Sequence, residues 1–438
     1  MMLHARLHST IRTGRTICQA VLLLMASSMT TAQTDTVALV DARIINGTGT
    51  APVDDGVIII NAGRIIAIGN SNDIDIPDHA NVVSMAGKTI IPGLINAHGH
   101  VSDVLGLESG HYNTENLLRQ LNLYASYGVT TVISLGGDER EAFELRDTQQ
   151  TPALDRARIY VAGPVLSADS PDEAAALVDE VARSNPDFIK IRVDDNLGRT
   201  AKMAPEVYQA FSDRADHHGL PLAVHIYYLD DTRQVIEAGG DFVAHSVRDR
   251  HVDQAFADQL IAADICYSPT LTREVSTYIY ESEPDFFSDP FFLAGVDSEI
   301  LDTLREPARQ QRLRDSAMAQ RYKAALPIAM SNLKILADAG VTIAMGTDSG
   351  PAARFQGYFE HLEMWMMQDA GLTPMQIITS ATGDAAHCMG ISDELGTLEA
   401  GKWADLVVLS ADPLEDIRNT RSIDQVWIAG KALPRPGF

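Results

Sequence analysis

The sequence predicts an α/β chain: a (β/α)8 TIM barrel carrying a small discontinuous β-sandwich domain built from both chain ends. Three observations lead there. Eight β-rich stretches, at 89–98, 129–136, 157–163, 187–193, 221–227, 242–247, 266–271 and 341–347, alternate with helical segments, the pattern of repeated βα units on a parallel sheet. Residues 35–90 and the C-terminus are instead short β-branched runs broken by Gly, Asn and Asp. Finally, polar residues collect at the C-terminal ends of the eight stretches, where a barrel of this kind places its active site.

The elements follow in chain order. Residues 1–32 hold Arg6, Arg12 and Arg15 and no acid, then the apolar run "AVLLLMASSM", then small residues to Ala32. That order marks a signal peptide cleaved after Ala32, and the apolar run is too short for a permanent membrane span. The mature protein is therefore expected to be exported, periplasmic or secreted, with no membrane attachment after cleavage. Residues 33–90 form the first part of the sandwich and 91–390 the barrel. Residues 391–438, with "LGTLEAGKWADLVVLS" and "IDQVWIAGKAL", supply the second part. Between the seventh and eighth stretches, residues 272–330 form an insertion over the active-site end, read as lid-like or as an extra outer helix pair.

At 438 residues the chain is long enough for this architecture. With 34 basic and 59 acidic residues, its net charge of −25 disfavours nucleic acid and anionic membranes as partners. Of three cysteines, Cys18 lies in the leader without a lipid-attachment context. Cys266 and Cys388 lack metal-site spacing and are expected to be buried free thiols.

The chemistry starts with "IPGLINAHGHV". His98 and His100 stand two apart on a strand end, so both rings face one side, about 6.6 Å apart along the chain. In "DFIKIRV" the apolar set Ile189, Ile191 and Val193 turns to the helices and sends Lys190 inward. "PLAVHIY" similarly leaves His225 and Tyr227 inside, "FVAHS" offers His245, and "VTIAMGTDSG" offers Asp348 above the small residues Ala344 and Gly346. Singly, each suits a structural role. Together they place four histidines, a lysine and an aspartate where a barrel usually holds aliphatics, and buried ionic groups need partners. A divalent metal site supplies them. His111, His217, His218, His251, His361 and His387 fall in expected helices or loops and take no ligand role.

Lysine offers only donors while protonated. Burial lowers its pKa, and the neutral amine can take up carbon dioxide to form a carbamate that bridges two cations. The charges then balance: two zinc ions face the carbamate, Asp348 and a hydroxide, with the histidines neutral. The alternative for Lys190 is an ion pair with Asp194 or Asp195.

"GLINAHGH", "DFIKI", "AVHIY", "FVAHS" and "GTDSG", in this order, resemble the metal-dependent amidohydrolase superfamily, and within it the imidazolonepropionase-like and prolidase-like branch. The resemblance covers nearly the whole mature chain. It implies that His98, His100 and Asp348 hold a first metal and that His225 and His245 hold a second. Carboxylated Lys190 would bridge the two. Imidazolonepropionase itself is mononuclear and lacks the strand-four lysine, so "DFIKI" argues against that activity. The implied reaction is hydrolysis of a C–N amide bond in a dipeptide or N-acyl amino acid. Water activated between the metals attacks, and Asp348 shuttles the proton. The alternatives are a lactone, ester or phosphotriester hydrolase on the same metals, or a non-catalytic ligand-binding barrel.

For substrate contacts, Arg192 shares the face of Lys190, Tyr227 that of His225, and Arg248 and Arg250 follow His245. An arginine fork suits a carboxylate; loop ion pairs with Asp194, Asp249 or Asp253 are the competing role. The resemblance implies a tyrosine at the substrate carboxylate, which Tyr227 or Tyr228 would provide. The expected partner is thus a small molecule or short peptide. The sequence is compatible with a homo-oligomer.

Overall fold

The structure, a computed structural model, describes residues 36–434. The expected signal peptide, residues 1–32, lies outside the described residues. The first five strands are β1 (Val37–Ile44), β2 (Val53–Asn61), β3 (Arg64–Asn70), β4 (Asn81–Ser84) and β5 (Thr89–Pro92). Then come β6 (Leu94–Gly99), β7 (Val129–Ser134), β8 (Arg158–Val161), β9 (Val165–Leu166), β10 (Ile189–Arg192), β11 (Leu222–His225), β12 (Phe242–Ala244) and β13 (Cys266–Ser268). The chain closes with β14 (Leu406–Leu409), β15 (Ile423–Ile428) and β16 (Lys431–Ala432).

Both chain ends share one sheet, ordered β16-β15-β14-β5-β1-β2-β3, with β4 paired to β1. Its central strands β5 and β14 are buried throughout, and one face of the sheet buries Leu39, Ile58, Ile60, Ile90, Leu406 and Val408. The middle strands form two parallel sheets, β6-β7-β8 and β9-β10-β11-β12-β13. Helices such as Pro171–Ala182, Pro205–His218 and Leu229–Glu237 lie between them in sequence. Ile189, Ile191 and Val193 are buried among the hydrophobic core, as the alternation in "DFIKIRV" requires.

Three local expectations need correction. The stretch 89–98 is two strands in two sheets. β5 pairs with β14, and at Gly93 the chain crosses over: Gly93 N–H donates to Asp405 O, and Leu94 N–H to Gly128 O. A Cβ at Gly93 would sit 2.0 Å from Thr130 Oγ1, so only glycine allows the crossing. The stretch 341–347 makes one bridge, Ile343 to Tyr267, instead of a strand. Its amides go to several segments: Ala344 N–H to Tyr267 O, Met345 N–H to Ser380 O, and Thr347 N–H to His98 O. It therefore runs between β6 and β13 without a continuous ladder. Lastly, Cys266 and Cys388 are not free thiols. They form a disulfide between the start of β13 and the end of the helix Gly383–Cys388, with Cα atoms 5.8 Å apart. A separation of 122 residues hides that pairing from any reading of local spacing.

A buried ion pair ties the two-end sheet to the parallel strands. Arg158 Nε, at the start of β8, lies 2.8 Å from Asp405 Oδ2, just before β14, and neither side chain is more than 3 % exposed. Asp405 Oδ1 also accepts from Ala429 N–H. Within the insertion, Phe287 and Phe292 are buried, and Phe292 meets Phe355 edge-on at 4.9 Å. The insertion thus packs onto the segment that follows Asp348. Its long helix Ala317–Ala339 carries Tyr322, also buried, toward Arg273.

Candidate metal centre

The end of β6 is built by Asn96. Its side-chain oxygen accepts from His98 N–H, and its amide donates to Thr347 Oγ1 at 2.8 Å and Glu360 Oε1 at 2.6 Å. His98 O in turn accepts from the backbone N–H of both Thr347 and Asp348. The first histidine and the aspartate are therefore fixed to each other before any ion is considered. Gly346 makes room, because a Cβ there would come within 2.8 Å of His98 Cβ. Asp348 (φ 58°) and His245 (φ 78°) both hold left-handed backbone, a strained state for residues with side chains.

One ligand atom each from His98, His100 and Asp348 lie within 4.8 Å of one another. His100 Nδ1 donates to Gly136 O at 2.9 Å, since a carbonyl can only accept. Its Nε2 faces Asp348 Oδ1, 2.8 Å away. A proton or a metal ion at this point joins the ring to the carboxylate. His245 lies against His98 with ring centroids 4.6 Å apart and against His225 at 4.2 Å. The four imidazoles thus form one continuous cluster.

Lys190 is 2 % exposed, and its Nζ has no hydrogen-bond partner. Burial, aided by the charge of Arg192, lowers its pKa to about 7 against the opposing pull of Asp348. Burial also drives His98 and His245 well below the ordinary imidazole value, and His225 to about 3. These rings are neutral and able to donate lone pairs. For Asp348, burial pushes upward but is outweighed by Arg354 and His100, so the carboxylate stays ionised. Arg354 Nη1 lies 2.5 Å from its second oxygen, Oδ2.

The alternative for Lys190, an ion pair with Asp194 or Asp195, is not formed. Asp194 accepts from Arg192 Nε at 2.7 Å, and its other oxygen stands 3.3 Å from His225 Nε2 without hydrogen-bond alignment. The unpartnered atoms Lys190 Nζ, His98 Nδ1 and His225 Nε2 are all buried in this one cluster. Such a group of neutral nitrogens beside a carboxylate fits a divalent cation that accepts N and O ligands.

The expected substrate contacts are placed differently from the ligands. Arg192 is held by Asp194 and Asn196. Tyr228 donates to Asp195, with Lys202 over its ring. Tyr227 is buried under the guanidinium of Arg248, 4.5 Å from its ring centre. Arg248 itself is fully buried, donates to Ile226 O and Ser246 O, and lies 3.0 Å from Glu274. Arg250 pairs with Asp230 and Asp249 at the surface. Arg192 and Arg250 thus form the competing ion pairs with Asp194 and Asp249, while buried Arg248 pairs with Glu274.

Sequence reading missed four residues here. Arg354 and Arg273 both approach Asp348 Oδ2, and "LTRE" after β13 obeys the same strand-end rule that found the histidines. Thr270 Oγ1 lies 2.7 Å from His245 Nδ1 and so turns Nε2 to the cluster. Thr270 is itself left-handed (φ 45°), and Glu363 steadies the turn by accepting from Leu271 N–H, Thr272 N–H and Thr272 Oγ1. A threonine at a strand end gives no sequence signal. An acid inside "HLEMWMMQ" gives one, because burial there demands partners.

The amidohydrolase family model matches residues 89–433. The chain belongs to the amidohydrolase family. It is 27 % identical to ochratoxinase of Aspergillus niger over 295 residues, which is 65 % of this chain and 54 % of that protein. It therefore spans about half the length of that relative. Imidazolonepropionase of Geobacillus kaustophilus is 22 % identical over 400 residues, 82 % of this chain and 84 % of the other. Among solved structures, a Xaa-Pro dipeptidase with methionine bound in its active site superposes with a TM-score of 0.74 at 22 % identity, covering 91 % and 99 % of the two chains. That likeness is one of fold.

Proposed function

We propose that this amidohydrolase is a binuclear metal-dependent enzyme that hydrolyses the amide bond of a dipeptide or N-acyl amino acid. The observation that carries the reading is Lys190: a buried, partnerless amine with a pKa near 7, in the same cluster as the neutral rings of His98, His225 and His245. As a carbamate it becomes the second anion that a pair of divalent ions requires. His98, His100 and Asp348 would hold one ion, His225 and His245 the other, and carboxylated Lys190 both. Two such ions, zinc by the donor set, would supply Lewis-acid activation of the carbonyl and of water. Asp348, kept ionised beside Arg354 and His100, takes the proton released on attack and returns it to the leaving nitrogen.

The middle strands are proposed to close as a (β/α)8 barrel, because residues 342–348 bond to both β6 and β13. The sheet made from both chain ends would then be the separate small domain. Export is part of the same proposal. The order of residues 1–32 carries it, and the Cys266–Cys388 disulfide suits an oxidising compartment.

The test is a turnover panel with zinc-loaded protein, comparing dipeptides and N-acyl amino acids with lactones and phosphotriesters. Fastest release of a free amino acid supports the reading. Preference for a lactone or phosphotriester moves the chain to another hydrolase class, and no turnover on any substrate makes it a binding protein.

A further inference from the structure

Two buried acids on one helix reach both halves of the metal centre. Glu360 and Glu363 lie one turn apart on the helix Tyr358–Asp369, and both are 0 % exposed. Glu360 Oε1 accepts from Asn96 Nδ2 at 2.6 Å, from Thr347 Oγ1 at 2.7 Å and from Ser349 Oγ at 2.6 Å. Its Oε2 accepts from Gly357 N–H at 2.6 Å. Asn96 holds the backbone of His98, and Thr347 and Ser349 flank Asp348. Glu360 therefore joins the two segments that carry those ligands.

Glu363 serves the other side. Its Oε1 accepts from Leu271 N–H, and its Oε2 from Thr272 N–H and Thr272 Oγ1, all at 2.7 Å. These residues directly follow Thr270, whose hydroxyl sets the ring of His245. Thr272 Oγ1 also lies 3.2 Å from Thr347 O, so the two networks meet at Thr347. Burying an acid costs free energy where an apolar side chain would gain it, so helix packing alone calls for neither acid. Both oxygens of each carboxyl face donors. An amide offers a single acceptor and would leave at least one of those donors unmet.

We propose that this helix is a shared brace for the metal pair, in which Glu360 positions the ligands of the first ion and Glu363 those of the second. The inference rests on the binuclear reading and deepens it. Neither acid belongs to the ligand set, and each acts through other residues. Glu360 works through Asn96 and Thr347 on His98 and Asp348, and Glu363 through the turn at Thr270 on His245. Hydrogen bonds to an ionised carboxylate are roughly twice as strong as neutral ones, so an acid fixes these segments more firmly than an amide of the same shape.

The experiment loads metal-free protein with cobalt(II) and reads two quantities that do not depend on turnover: the visible absorption of the bound ion and its affinity against a chelator. In Lys190→Ala, which isolates the first site, adding Glu360→Gln should weaken the remaining ion by about 10–100-fold and shift its absorption. Adding Glu363→Gln to Lys190→Ala should leave both unchanged. With Lys190 intact, Glu363→Gln should weaken the second ion by about 10–100-fold and spare the first. Two milder variants, Ser349→Ala and Thr272→Val, each remove one hydroxyl donor and should show the same site pattern with smaller losses. Urea midpoints of the metal-free variants separate these losses from general instability. Equal weakening of both sites by either acid, or a fall in the urea midpoint with wild-type affinities, makes the helix a stability element and overturns the proposal. A single ion in the wild type, weakened by Glu360→Gln, would refute the binuclear reading alone. Two ions in the wild type, with unchanged affinities in both acid variants, would refute this inference alone.

Discussion

Replacing Thr270 by valine removes one oxygen and almost nothing else. The β-branch stays, and so do the Glu363 contacts that hold the following turn, because they involve Leu271 and Thr272. What disappears is the 2.7 Å bond to His245 Nδ1, in a place where neither residue is more than 1 % exposed. Leaving a buried ring nitrogen unpaired costs about 1–3 kcal/mol. The ring is also freed to rotate or to change tautomer. Loss of such an outer partner typically weakens metal binding by about 10–100-fold. The predicted result is therefore a drop of about that size in affinity at the site held by His225 and His245, with His98, His100 and Asp348 little affected. Competition against a chromogenic zinc chelator resolves the weaker of the two sites, and urea unfolding of the metal-free protein separates this from a general loss of stability. Wild-type affinity at both sites in Thr270→Val would refute the role assigned to Thr270.

Three further outcomes follow from the same structure. Reducing the Cys266–Cys388 bond opens a loop of 122 residues, for which chain entropy gives a loss of about 4–5 kcal/mol, to be read from urea midpoints of the oxidised protein and Cys388→Ser; matching midpoints would contradict it. Lys190 titrates near 7 when folded, but near 10.4 in an unfolded chain. Between these values the unfolded state holds a proton that the folded state lacks, so the metal-free protein should gain stability as pH rises from 7 to 10. Lys190→Met should lose that gain, and parallel pH profiles would argue against the low pKa. Intact-mass analysis of exported protein should find the chain starting near Gln33, and retention of residues 1–32 would remove the export proposal.

The parts of this fold legible in the sequence are those governed by local pattern. Alternation in "DFIKIRV" sends Lys190 inward because its apolar neighbours must be buried, and the structure buries them. The His98–Gly99–His100 spacing places two rings with Asp348 for the same reason. What stayed hidden depends on distant partners. The break at Gly93 is set by Asp405 and Thr130, the disulfide by a residue 122 positions away, and the irregular 341–347 segment by Ser380 and His98. Arg192 and Arg250 take the nearby acids Asp194 and Asp249 that the sequence offers them, whereas the partner of Arg248, Glu274, lies on another element. A charge at a strand end points to the site, but only the fold shows which carboxylate has already taken it.

The most direct test of the account is a count of metal ions against Lys190. Wild type and Lys190→Ala would be reconstituted with zinc in bicarbonate buffer and analysed by mass spectrometry for bound metal, with turnover measured on the same samples. Only as a carbamate can Lys190 supply the anion that a second cation needs. The account therefore predicts close to two ions per chain in the wild type. The variant should keep about one ion and fold normally, with activity lower by about 10²-fold or more, roughly 2.7 kcal/mol of lost transition-state stabilisation. A short carboxylic acid added with the metal should restore part of both. Two ions and near-normal turnover in Lys190→Ala would contradict the account.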